Sequence, residues 1–413
     1  MSSEAQKTER IDALTGLRFF AALNVVLGHY AGLIPYLSWI LPFITQGQKA
    51  VTLFFILSGF ILYYNYRRWF DGQAPYDRFW SFARARFARV YPMHFVALIL
   101  ITPVMIYLLR THASAFETPS AFGIYFTPNT VRISWLANLT LLQPFIPLIW
   151  VQDLWNAPSW SIGNEFFFYA LFPFFIAYVV SHLRTTRRLL LSVVGCLVAQ
   201  AVLTITFIWL IVNVPLNPKV YMFTFLVVRN PLVRMWEFLF GCILGALFQH
   251  YQSSSSMQPV FGALRSRSGR NALLVIGIIG LMGLSVHTEL TWTRASLLYY
   301  TLISALSLPM FGIIVLVLAL RRTFLSSVFE NRFIVMLGEA SYSFYIIHWI
   351  PFYILVSLRL FGITAPGWWV PASVLATILA SLGTWKFIEM PARRYLRTFL
   401  APRPRQVEMR PGV

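Results

Sequence analysis

Arg18 and His29 stand eleven residues apart inside the first long apolar segment of a 413-residue chain, where ionisable side chains are costly and by default functional. At about 100° per residue, eleven steps bring a helix back to nearly the same face, so the two groups line one wall about 16 Å apart. A guanidinium at one depth suits an anionic group, and an imidazole at another suits proton chemistry. The expectation is an enzyme that works inside a membrane.

Glu165, in the run Trp160-Ser161-Ile162-Gly163-Asn164-Glu165, is the candidate partner of His29. Counted from the outer ends of their segments at 1.5 Å per residue, His29 lies about 9 Å deep and Glu165 about 8 Å. A carboxylate at that depth can bond one ring nitrogen, fix the tautomer and strengthen the other nitrogen as a base. The plainer alternatives are a core histidine bonded to a backbone carbonyl and a structural Glu165–Arg234 ion pair. Arg84, Arg86 and Arg89 crowd the start of the third apolar segment on the same side as Arg18. Guanidinium groups there suit the phosphates of a cytoplasmic cofactor through bidentate charge-assisted bonds. Topology alone accounts for most of the arginines between 67 and 89, but not for Arg18. Ser58, in Phe54-Phe55-Ile56-Leu57-Ser58-Gly59-Phe60, is either a catalytic hydroxyl or part of a packing notch. His348 falls mid-membrane, lining the same cavity or bonding a neighbouring helix. Glu389 reads as a structural clasp to Lys386 or nearby arginines.

The elements that must position these groups follow from composition. The chain is 58% hydrophobic and 11% charged, and apolar runs of about 20 residues recur throughout, as membrane-spanning helices require. A soluble fold is excluded, and the long runs lack the alternation of a barrel. The fold class is all-α: a polytopic membrane helix bundle of about ten transmembrane helices, with a re-entrant or interfacial outer segment. The expected spans are 14–35, 49–66, 90–109, 160–182, 189–212, 231–250, 271–288, 299–320, 333–358 and 368–390. The net charge of +19 does not signal nucleic acid, because the cations are distributed by loop. With the N-terminus in the cytoplasm, most of the 33 basic residues fall on the inner side, and both termini lie there. The stretch 131–150 carries Arg132, Asn138, Gln143, Pro144 and Pro147 and is read as re-entrant or interfacial, within an outer segment 110–158. Trp135, Trp150, Trp155 and Trp160 suit the headgroup layer. The polar start lacks a cleavage site, so the first segment is read as retained. Residues 1–13 form an inner tail, 14–397 the membrane domain and 398–413 a disordered tail. The serine run Ser253 to Ser256 with 257–270 reads as a flexible inner loop. Cys196 and Cys242, in separate spans, support neither a disulfide nor a metal site, and no metal is expected.

The chain resembles the acyltransferase-3 family of bacterial membrane acyltransferases, in motif order over nearly its whole length. Arg18 with His29 is similar to the family's Arg/Lys-x10-His signature, and Phe54 to Phe60 to its FFxLSGF element. Arg86, Arg89, Tyr91 and Pro92 resemble its basic stretch, Trp160 to Glu165 its tryptophan-to-glutamate motif, and Glu237 to Gly241 its glutamate-phenylalanine-glycine patch. Gly338, Ser341, Tyr342, Tyr345 and His348 resemble its late Ser-Tyr-x-x-Tyr-x-x-His run, and Ile388 to Pro391 its closing motif. Thr15 stands where many members have Asp, and Gly163 where many have Ser.

The resemblance implies transfer of an acyl group, usually acetyl from acetyl-CoA, to a hydroxyl of an envelope or exported glycan, the acceptor being free or lipid-linked. It implies His29 and Glu165 as the catalytic pair, with Arg18, Ser58, Arg86, Arg89, Tyr342 and His348 toward substrate. It places the chain in the bacterial inner membrane, among lipid, without nucleic acid. No fused hydrolase-like domain is expected after the last span, so the outer segment 110–158 is the candidate for acceptor choice. Direct transfer from the donor and a two-step route through an acyl-histidine or acyl-Ser58 both remain open. The rival class is a transporter or flippase, since intramembrane charges also mark transport pathways; the two related halves a transporter would show are not evident. A non-catalytic scaffold leaves Arg18, His29 and Glu165 without a purpose.

Overall fold

A computed structural model describes residues 10–33, 47–111, 127–214, 222–253, 262–285, 294–363 and 366–399. Most of the expected N-terminal tail, nearly all of the C-terminal tail and part of the Ser253 to Arg270 loop lie outside them. Among the described residues the structure is helical and contains no strand. The helices are α1 Asp12–Tyr30, α2 Gly47–Tyr66, α3 Tyr76–Thr111, α4 Pro128–Leu139, α5 Ile149–Asp153, α6 Trp160–Tyr178, α7 Thr186–Asn213 and α8 Pro231–Ser253. They continue as α9 Arg267–Ser285, α10 Arg294–Ala319, α11 Ser326–Phe329, α12 Arg332–Glu339, α13 Ser341–Ile347, α14 Trp349–Leu360, α15 Trp369–Thr384 and α16 Met390–Phe399.

Nine helical stretches among the described residues are long and apolar enough to cross a membrane, from Gly47–Trp69 to Trp369–Leu396, and the protein is a multi-pass membrane helix bundle. They coincide with nine of the ten expected spans. The remaining one, α1, carries Asp12, Arg18, Asn24 and His29; these lower its apolarity, and packing against α2, α12 and α13 holds it in the bundle instead. The expected ninth span, 333–358, is not one helix. It breaks at Ala340 and again at His348, giving α12, α13 and α14, and the Ser341 hydroxyl closes the first break by donating to the Gly338 carbonyl at 2.7 Å.

The most extensively packed helix pair is α2 with α8, and its sequence reason is a reciprocal notch. A Cβ on Gly59 would overlap the Phe238 carbonyl, and one on Gly241 the Ile56 carbonyl. Small residues let backbones touch in lipid, where dispersion drives helix association. The Ser58-Gly59 pair is thus a packing notch at Gly59. Gly59→Ala or Gly241→Ala is expected to cost about 1–3 kcal/mol by overpacking, read as a lowered thermal midpoint of the detergent-solubilised protein; an unchanged midpoint would contradict the notch.

The outer segment enters on α4. Thr127 caps it in a reciprocal box with Thr130, and Pro128 occupies its first turn. At 12 residues and 1.5 Å each, α4 spans about 18 Å, well short of the roughly 30 Å hydrocarbon core, so 131–150 is not a full span. Several of its polar groups are bonded inside the protein: Nε2 of His94 donates to the Asn138 carbonyl at 2.8 Å, Asn138 donates to the Val151 carbonyl at 2.7 Å, and Trp155 donates to Ser134 at 3.0 Å. Non-helical backbone is tolerated at membrane depth only under such cover. The headgroup placement of the tryptophans is corrected here, because Trp150, Trp155 and Trp160 are buried in protein. Their ring area packs the outer segment onto the bundle.

Candidate active site

His29 and His348 meet at 3.0 Å, Nδ1 to Nε2, with their rings stacked. His348 sits at the break between α13 and α14, fully buried, and its Nδ1 lies 2.5 Å from the Tyr345 carbonyl. A carbonyl only accepts, so Nδ1 of His348 carries a hydrogen and, in the neutral ring, Nε2 is the acceptor. His29 must then donate from Nδ1, which leaves its own Nε2 bare. The chain of bonds from Tyr345 through His348 delivers one defined tautomer of His29, with a free lone pair. Tyr30 locks the far side, its hydroxyl donating to the His348 carbonyl at 3.1 Å, and Trp349 meets the His29 ring edge-on.

His29 is half-buried and lines a cavity of about 370 Å³ shared with Gln48, Asp153, Trp160, Arg229, Tyr345 and Trp349. The cavity lies where α1, α2, α6 and the outer segment converge. Asp153 and Arg229 form an ion pair on its wall. Gly163, one of the sequence departures, is explained by this packing: a Cβ there would stand 2.8 Å from the Leu141 carbonyl and press on Pro144, so a serine does not fit against this outer segment.

The group hydrogen-bonded to the Nδ1 of His29 is therefore His348, where Glu165 was expected. Glu165 belongs to a second polar cluster, further along α6. There Arg18 shares its electrostatic surroundings with Arg89, Glu165, Tyr169 and Glu389, and Tyr169 adds Ser58 as a hydrogen-bonding neighbour. Tyr342 closes the cluster by donating to the Val90 carbonyl at 2.6 Å. Glu389 accepts from Ser343 at 2.7 Å and feels the charges of Arg89, Arg18 and Arg393, the arginine form of the expected clasp, while Lys386 lies over the Phe387 ring. Arg86 is buried with its guanidinium on Tyr66, bonded at 2.8 Å and stacked at 5.0 Å. Arg18, Ser58, Arg89, Glu165 and Tyr342 are thus brought together, and His29 with His348, in two centres joined by α1 and by Tyr345, which lines the cavity and feels the charge of Glu165.

Arg234, the alternative partner weighed for Glu165, bonds Glu237 at 2.7 Å. Thr52 and Gln200 also reach that carboxylate, at 3.2 and 3.1 Å. The pair underlies the cavity: Arg234 stacks on Phe55 and Trp160 and donates to the Gln48 carbonyl. Asp153, Arg229, Tyr169 and Gln48 were not singled out from sequence. No local spacing marks them, since each reaches the site from a different element.

A sequence model described as an acyltransferase domain matches residues 11–386. The chain belongs to the acyltransferase-3 family. Both centres fall within the matched residues except Glu389. Among similar proteins, an acyltransferase of Streptomyces mycarofaciens, MdmB, is 31% identical over 253 residues, 58% of either chain. The peptidoglycan O-acetyltransferase OatA of Listeria monocytogenes is 22% identical over 395 residues, 93% of this chain and 56% of its own. A putative O-acetyltransferase of Staphylococcus aureus is 22% identical over 391 residues, 94% of this chain and 58% of its own. The chain spans just over half the length of these relatives. No solved structure matches it.

Proposed function

We propose that this acyltransferase-3 member moves an acyl group, acetyl in the first instance, from cytoplasmic acyl-CoA to a hydroxyl of an envelope or exported glycan, with residues 14–397 as the catalytic domain. The observation that carries the reading is the Tyr345–His348–His29 chain of hydrogen bonds, which leaves the Nε2 lone pair as the basic atom of a residue that lines a cavity. His29 takes the proton of the acceptor hydroxyl as its oxygen attacks the thioester carbonyl. The C–S bond then breaks, and the leaving thiolate takes the proton from His29. The printed activities of the relatives, peptidoglycan O-acetyltransferase among them, support a glycan acceptor. Family membership favours the enzyme over the transporter.

Arg18 and Arg89 suit the donor. Glu165 and Glu389 share the cluster with Arg18 and Arg89, so the carboxylates hold the two guanidiniums close together, as a binding site for the donor's phosphates needs. A phosphate-bearing chain entering past Arg84 and Arg89 would be drawn toward Arg18 and pass its thioester along α1 to His29. The inner-side bias of the arginines supports cytoplasmic termini and a bacterial cytoplasmic-membrane location. Glu165 is then a positioning residue for Arg18, and the catalytic pair is His29 with His348.

Proteoliposomes loaded with radiolabelled acetyl-CoA are expected to label a glycan fraction presented outside; label confined to the lumen would sink the direction of transfer. His348→Gln, whose amide oxygen can still accept from Nδ1 of His29, is expected to keep part of the activity that His348→Leu loses, by a factor of about 10². Equal losses in the two variants would remove the tautomer argument.

A further inference from the structure

Arg229 is held from both ends at the wall of the His29 cavity. Its carbonyl accepts from Asn164 at 3.0 Å, and its Nη1 donates to the Asp153 carboxylate and, at 3.3 Å, to Gln152. Its guanidinium carbon lies 5.8 Å over the Trp160 ring. Asp153 is fixed in turn, its carbonyl receiving the Tyr353 hydroxyl at 3.1 Å, while its carboxylate stays 36% exposed on the cavity side. A guanidinium carries five N–H donors, and the bonds to Asp153 and Gln152 use Nη1, leaving Nε and Nη2 for the cavity that Arg229 lines. The positive charge reaches both His29 and Tyr345. A charged pair kept on a cavity wall calls for a role beyond packing, and a rigid cation beside a base has a specific one in acyl transfer.

We infer that Arg229 is the oxyanion donor of the transfer step and that Asp153 is the positioning residue that aims it; the inference rests on the acyltransferase reading above. When the acceptor oxygen adds to the thioester carbon, its proton goes to Nε2 of His29 and the carbonyl electron pair moves onto the carbonyl oxygen. Arg229 holds that negative charge through N–H bonds fixed in advance. The pair then reforms the C=O bond, the C–S bond breaks, and the thiolate takes the proton from His29. Donors set in place before the charge develops supply the largest single part of such catalysis.

Water in the place of the acceptor separates this role from acceptor binding. The purified full chain in detergent, given acetyl-CoA alone, is read by release of free CoA thiol. Arg229→Gln is expected to lower the maximal rate by about 10²–10³-fold, with the half-saturating acetyl-CoA concentration unchanged. Arg229→Lys keeps the charge and the pair but not the fork and is expected to lose less; a wild-type thermal midpoint in this variant secures the comparison. Asp153→Asn is expected to fall between wild type and Arg229→Gln. Hydrolysis at the wild-type rate in Arg229→Gln, or a change confined to half-saturation, overturns the assignment and makes Arg229 a binding residue. Thiol release that persists at the wild-type rate in His29→Ala overturns the underlying reading instead.

Discussion

His29→Ala is expected to lower acyl transfer by about 10²–10⁴-fold, the usual contribution of a positioned general base, while the protein accumulates in the membrane at its normal level. His29 is half-buried at a cavity wall, so truncation opens space already in contact with the cavity and does not hollow out the core. On the proposed reading the loss should appear in the maximal rate and not in donor half-saturation, because the ring would act on the acceptor proton while the donor phosphates would be met near Arg18, some 16 Å away along α1. Steady-state transfer with labelled acetyl-CoA measures both parameters. A variant that keeps its maximal rate would remove His29 from the chemistry and leave the His29–His348 contact as a structural clasp.

The second large effect concerns stability. Arg234→Met is expected to destabilise the bundle by about 3–5 kcal/mol, because it strands the Glu237 carboxylate inside the protein without its cation. One oxygen of that carboxylate is already buried without a partner, so Thr52 and Gln200 cannot make up the loss. The double variant Arg234→Met/Glu237→Met is expected to recover most of the deficit, since two flexible apolar side chains fill the same volume without a buried charge. Thermal midpoints of wild type, both single variants and the double variant form the cycle that decides it. A double variant as unstable as the worse single one would mean that the pair holds α2, α7 and α8 together by more than mutual neutralisation. Trp160 and the Gln48 carbonyl both rest on Arg234, so the single variant should also impair activity.

The bundle was legible in the sequence because apolar length is a local property, and nine of the spans lie where the apolar runs place them. Arg18 and His29 stood out for the same reason: each is a polar residue in an apolar run. The breaks at Ala340 and His348 were hidden, since 333–358 stays apolar across both, and only contacts with α1, α3 and α15 show where the helix turns. The tryptophans of the outer segment were misread because an amphipathic ring suits a headgroup layer and a polar-lined interior equally well.

Sequence by itself determined the class, the spans and the ionisable groups placed inside them, because the cost of a charge in lipid depends only on how far along an apolar run it sits. What it gave for His29 and Glu165 was depth, and matching depth says nothing about rotation around each helix axis. The tertiary structure decided that rotation. It set Glu165 among the groups whose charge reaches Arg18 and Tyr169, brought His348 onto His29 across 319 residues, and set Arg229 against Asp153 on the same cavity wall. Those pairings depend on which helices pack together and at what angle, a property of the whole interlocking set of side chains that no single segment encodes.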